Sequence, residues 1–210
     1  MNLLECLVGI ALCALLINPL LKTSADLLIK QIEYEKSQAL VLEAERALEL
    51  MGRAIRMAGY KKVQSEKEVL NKKNASPSIE ILKRSGYQGS DALITRHELS
   101  NGVDYDCIGN ASTMDRTKQG KAQQGFLVDR QAALLKGVKA NGGSLMCQSL
   151  DRHGRIQNTT LMNGVNLLKV EELGTPVDQG QKSLRIRLEM TDGVSIEKKF
   201  ERIFTTRNLP

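Results

Sequence analysis

Residues 3–21, from Leu3 to Leu21, read LLECLVGIALCALLINPLL and contain one charge, Glu5, and one other strongly polar group, Asn18. A helix rises about 1.5 Å per residue, so the stretch reaches roughly 28 Å, close to one hydrocarbon core. It is expected to be a membrane-crossing helix. A secretory signal peptide fits less well: no Lys or Arg precedes the apolar run, and Asn18-Pro19-Leu20-Leu21-Lys22 is a poor cleavage site. A plain anchor accounts for the length but not for Glu5. A carboxylate at that depth costs about 2.5 kcal/mol or more unless it finds a partner. The positive end of the helix offsets part of this. The free α-amine of Met1, in the same chain or a neighbouring one, is the natural counter-ion. Pro19 has no N–H and its ring meets the carbonyl of Leu15, so a helix break is expected there, with Gly9 adding flexibility. Cys6 and Cys13 lie seven apart on one helical face and read as small packing residues.

Downstream the helical pattern persists. Val41, Ala44, Leu48, Met51, Ile55 and Ala58 recur at spacings of three and four, an amphipathic stripe that ends at Gly59, where a C-terminal cap is expected. The same stripe would serve a coiled coil, but only for a short run of heptads. Past residue 60 the pattern turns to short alternating runs between turn signals such as Ser100-Asn101-Gly102, Asn163-Gly164 and Asp192-Gly193. Leu184, Ile186, Leu188 and Met190 alternate with Arg185, Arg187 and Glu189. Val194, Ile196, Phe200 and Phe204 then share one parity, so a hairpin of long strands is expected near the C-terminus. Weaker strand candidates are 79–83, 91–98, 103–107, 144–150 and 167–172. Residues 111–124 read as a long surface loop. The fold class is therefore α+β: a long N-terminal helix, half transmembrane and half amphipathic, packed on an antiparallel β-sheet head. The boundaries are 1–23, 24–60 and 61–210.

The whole chain has 210 residues, 41 % apolar and 26 % charged, with 30 Lys and Arg against 24 Asp and Glu. That balance excludes both a wholly disordered chain and a polytopic membrane protein. Aromatics are only 3 % and Trp is absent, which argues against a stacking platform for nucleic acid. The sequence has no Walker-type loop, no GxSxG and no paired-ligand spacing, so no enzyme and no cofactor are expected. Cys107 and Cys147 would pair in an oxidising compartment and stay as thiols in a reducing one. His97 and His153 lack zinc spacing and read as surface or strand residues. Asp104, Asp106 and Asp115 fall on positions of an EF-type loop. Ile108 breaks that pattern, so a solvated acidic turn is the better reading than a calcium site. Arg53, Arg56, Lys61, Lys62, Lys67, Lys72 and Lys73 form a basic run. It would meet an acidic face on a partner or, less readily, DNA.

Met1-Asn2-Leu3-Leu4-Glu5, the apolar stretch and the long amphipathic helix together resemble the mature N-terminus of type IV pilins. Within that family the chain looks most like PilW-like minor pilins. The likeness is carried by residues 50–60 (LMGRAIRMAGY), Ser90-Asp91-Ala92-Leu93-Ile94-Thr95-Arg96, Asp106-Cys107-Ile108-Gly109-Asn110, Met146-Cys147-Gln148 and Phe204-Thr205-Thr206-Arg207-Asn208. Met replaces the commoner Phe at position 1, and Pro19 lies a little earlier than the helix-breaking Pro of major pilins. The resemblance implies a pilin-like fold, a leader removed by prepilin peptidase and N-methylation of Met1. It also implies a chain that waits in the inner membrane with a periplasmic head before joining an extracellular pilus. Its implied role is to prime assembly at or near the pilus tip, with Glu5 and Met1 setting the axial step. The implied partners are other minor pilins, the major pilin, the inner-membrane assembly platform and, before assembly, lipid. A minor pseudopilin of a type II secretion system would share the same N-terminus and a β-rich head.

Overall fold

The computed structural model describes residues 3–62, 77–118, 120–131, 141–174 and 181–208; the side chains of residues 3–5, 14 and 16 lie outside that description. Among the described residues, one helix, α1 (Leu3–Met57), is followed by seven strands: β1 (Ile79–Leu82), β2 (Ala92–Glu98), β3 (Lys121–Arg130), β4 (Gly143–Leu150), β5 (Ile156–Leu173), β6 (Ser183–Thr191) and β7 (Glu197–Thr205). The chain divides into two compact units, Met1–Ala39 and Leu40–Pro210, and α1 contributes to both.

The first unit is helix alone. Its large apolar side chains have nothing of the unit to pack on: Leu7, Ile10, Leu15, Leu20, Leu27 and Ile29 are all more than half exposed. The backbone stays helical through Gly9 and Pro19, so the expected break is absent from this structure. Proline deletes one i→i−4 bond, and the bonds of the adjacent turns hold the cylinder together. Just beyond it, the Thr23 hydroxyl donates to the carbonyls of Pro19 and Leu20, both at 3.0 Å.

The second unit is a seven-stranded antiparallel meander in sequence order, β1 to β7, covered on one face by the last turns of α1. The expected stripe packs inward. Ala44, Leu48, Met51, Ile55 and Ala58 are buried, and Leu40, Ala47 and Ala54 widen the seam. The small side chains let the helix approach closely. At Gly52 an added Cβ would collide with the ring of Phe204 on β7, so that ring packs directly on the helix backbone. The helix ends at Met57, three residues before the expected end. Gly59 takes φ +77° and donates its N–H to the Arg96 carbonyl of β2 at 3.0 Å.

On β6 the expected alternation holds: Leu184, Ile186, Leu188 and Met190 are buried against the helix side. The opposite face carries cross-strand ion pairs, Arg187 with Glu201 at 3.0 Å and Lys199 with Glu189 at 3.1 Å. These are half-solvated, so each contributes little to stability. Ile203, out of step in the sequence, faces solvent on β7.

Four expectations need correction. Residues 103–107 form no strand; a single bridge, Tyr105 with Ala111, is all the β-structure there. Asp106 instead organises a tight turn just beyond, its carboxylate accepting the N–H groups of Ile108 and Asn110. The end of the expected loop 111–124 is instead the first part of β3, a ten-residue strand. Asn163-Gly164 is not a turn but an irregular point inside the 18-residue β5. Gly164 sits at φ +79°, and the pairing of β5 with β6 shifts register between Val165 and Leu167. That bend lets one strand serve β4 with its first half and β6 with its second. Val194 and Ile196 precede β7, in a loop organised by Asp192.

Candidate functional site

Among the described residues, the large apolar side chains of α1 from Leu7 to Ile32 stand exposed. Among those residues α1 is the one helix long and apolar enough to cross a membrane. Cys6 and Cys13 are exposed along it. Met1 and the Glu5 side chain, which would carry the amine–carboxylate contact, lie outside the described residues.

The disulfide closes as an oxidising compartment would have it. Cys107 and Cys147 are joined with Cα atoms 5.9 Å apart, tying the β2–β3 loop to β4. Both are buried and belong to the core. In the acidic loop beside them two carboxylates find partners within the loop. Asp104 accepts the backbone N–H and hydroxyl of Ser100, and Asp106 accepts the Asn110 N–H at 2.8 Å. Arg116 lies 4.0 Å from Asp106. Asp115 sits in a 3-10 turn, Met114–Arg116. Among the described residues, no cluster of three His, Cys, Asp or Glu side chains is placed to hold a metal ion.

Of the basic run, Arg53 is exposed on α1 and Arg56 lies 3.7 Å from Glu49. Lys61 is exposed, and the Lys62 N–H donates to Glu98 at 3.0 Å. Lys67, Lys72 and Lys73 lie outside the described residues, so the structure brings together only part of the patch.

Two sites were not singled out by the sequence. Asp91, at the entry to β2, is 1 % exposed. One carboxylate oxygen accepts the Arg84 N–H at 3.0 Å; the other accepts the Val170 N–H at 3.0 Å and the Lys83 ammonium at 3.2 Å. Lys169 stands 3.6 Å away. The Asp91 N–H donates to the Leu168 carbonyl, and the neighbouring Ser90 hydroxyl accepts the Leu168 N–H. This node fastens the β1–β2 hairpin to β5. Burial pushes the Asp91 carboxyl upward, but the two backbone N–H donors and Lys83 outweigh it and hold the group below the ordinary aspartate value.

The second is a cavity of about 160 Å³ between α1, strands β2 and β3 and the loop that joins those strands. His97 lines it from β2. The imidazole is 3 % exposed, and its Nδ1 has no hydrogen-bond partner among the described residues. Burial lowers the pKa of His97, and Asp104 opposes that only in part. Strand parity alone places His97 inward, alongside Leu93 and Thr95, once β2 is known to face the helix. Comparison with known proteins gives no match for this chain to any family model, any curated protein or any solved structure.

Proposed function

We propose that this chain is a structural filament subunit of the type IV pilin kind, a PilW-like minor pilin that primes pilus assembly and sits at or near the tip. The observation that carries the reading is the α1 segment whose large apolar side chains stand exposed, continuous in chain with a folded, disulfide-closed head. Such a helix is insoluble alone. In lipid it is satisfied, and in a bundle of like helices it exchanges lipid contacts for close side-chain packing. Gly9, Ala11 and Cys13 supply the small residues such packing uses. A disulfide favours an oxidising compartment and so supports a periplasmic head. In this reading Glu5 meets the methylated amine of Met1 of the adjacent subunit and sets the stagger between them.

The test is Glu5→Ala in the full chain, expressed where the filament is made. Membrane insertion should be retained, because removing a charge from an apolar helix favours the bilayer. Incorporation into sheared filaments should fall at least about tenfold, the factor that a lost contact of about 1.4 kcal/mol produces. Unchanged incorporation would defeat the pairing of Glu5 with a neighbour's amine.

A further inference from the structure

The first half of β5, from Ile156 to Asn163, reads IQNTTLMN and forms an edge inside the sheet. On one side β4 pairs along it. On the other, β6 joins β5 only from Val165 onward, because the chain turns back toward β7 at Asp192. Among the described residues, no strand lies on that second side of 156–163.

The outward backbone groups follow from the pairing. The Asp151 N–H donates to the Arg155 carbonyl at 2.8 Å, and the next pair is Leu150 with Ile156. In an antiparallel ladder, hydrogen-bonded and non-hydrogen-bonded pairs alternate, so Leu150 with Ile156 is of the second kind. Gln157 and Thr159 therefore bond to β4, while Ile156, Asn158 and Thr160 turn their N–H and C=O groups outward. Edges of this kind are usually guarded by charge or proline. β7, at the sheet's end, is guarded by Glu197, Lys198, Lys199, Glu201 and Arg202. Residues 156–163 hold no charge and no Pro, and Ile156, Asn158, Thr159 and Thr160 are exposed.

An uncharged strand can oppose its own copy without repulsion. With a twofold axis at Asn158, all three outward residues are used. Asn158 faces its equivalent, and Ile156 and Thr160 face each other across the axis. This register makes about six backbone hydrogen bonds and sets Ile beside Thr, a favourable cross-strand pair. Charge also matches at the ends. The second copy's turn 151–155, positive through Arg152 and Arg155 against Asp151, arrives at the loop 192–196, whose one charge is Asp192. We propose that the first half of β5 pairs with the same segment of a second copy, extending the sheet across a twofold axis. Each copy's edge is consumed, so the assembly closes at two. The proposal does not depend on the filament reading.

The experiment is hydrogen–deuterium exchange of the full chain in detergent micelles, read by mass spectrometry on peptides covering 156–162. Association through α1 leaves these amides untouched, so the readout is specific to the edge. The amides of Ile156, Asn158 and Thr160 should exchange freely in dilute protein and at least about tenfold more slowly when it is concentrated about a hundredfold. Asn158→Lys sets two ammonium groups against each other and should abolish that slowing. Gln157 and Thr159 stay protected by β4, which shows that the sheet is intact. Ile203→Lys, at an exposed position on β7, should leave the slowing unchanged. Exchange that does not respond to concentration up to the solubility limit would overturn the proposal, whether the amides are open throughout or covered by their own chain throughout. So would slowing that survives Asn158→Lys or is lost equally with Ile203→Lys.

Discussion

Asp91→Asn tests the node that fastens β2 to β5. Each carboxylate oxygen serves one backbone N–H, Arg84 on one side and Val170 on the other. An amide has only one oxygen. Whichever way it turns, its NH2 faces one of those N–H groups, donor against donor, and that buried group is left unmet. An unmet buried donor costs about 1–3 kcal/mol, and the surviving bond loses its charge assistance, about 1 kcal/mol more. Lys83 and Lys169 are 57 % and 31 % exposed, so they turn to water at little further cost. The sum is about 3 kcal/mol. With a urea slope of about 2 kcal/mol/M, the midpoint should fall by roughly 1.5 M. The assay is urea unfolding of the full chain, disulfide intact, followed by the strand signal in far-ultraviolet circular dichroism. A midpoint within about 0.25 M of wild type at unchanged slope would refute the reasoning, since it would mean the carboxylate holds nothing that an amide cannot.

Further outcomes follow from the same head. Cys107→Ser with Cys147→Ser should lower stability by about 4 kcal/mol, the chain-entropy value for a loop of this size, read as a drop in melting temperature; an unchanged melt would contradict it. Folding favours the neutral imidazole of His97, which faces Arg53 from α1 and Asp104 from the β2–β3 loop. The unfolded chain therefore takes the proton first, and the His97 contribution is complete above about pH 6.5 and declines as the pH falls below it. Wild type minus His97→Gln should show that slope in urea midpoints taken between neutral pH and the onset of carboxylate titration; parallel curves would remove His97 as its source.

The amphipathic part of the helix and β6 were legible in sequence because their apolar spacings are unbroken. Met51, Ile55 and Ala58 on α1 and Leu184 to Met190 on β6 are buried as the spacing predicts. β3 was hidden by Gln124, a polar residue at a core-facing position that is paid for by one hydrogen bond to the Tyr105 carbonyl. No periodicity rule anticipates such a partner. Asn163-Gly164 carries the chemistry of a turn, but the same left-handed glycine also serves a bulge in a long strand, and only the register of β5 against β6 separates the two. Residues 103–107 alternate like a strand, yet the carboxylates of Asp104 and Asp106 hold turns on either side of them. The Asp91 node and the His97 cavity join residues 79 and more than 40 positions apart, as from Asp91 to Val170 and from Arg53 to His97. Neither has a local signal. On the proposed filament reading the N-terminal pentapeptide is the reverse case, a local signal whose meaning would lie in contacts between chains.

The mass of the N-terminal peptide from protein isolated out of native membranes or filaments bears most directly on that meaning. The filament reading predicts a chain beginning at Met1 with one methyl group on its α-amine. A peptide that carries residues upstream of Met1, or an unmodified Met1 in assembled material, would contradict it.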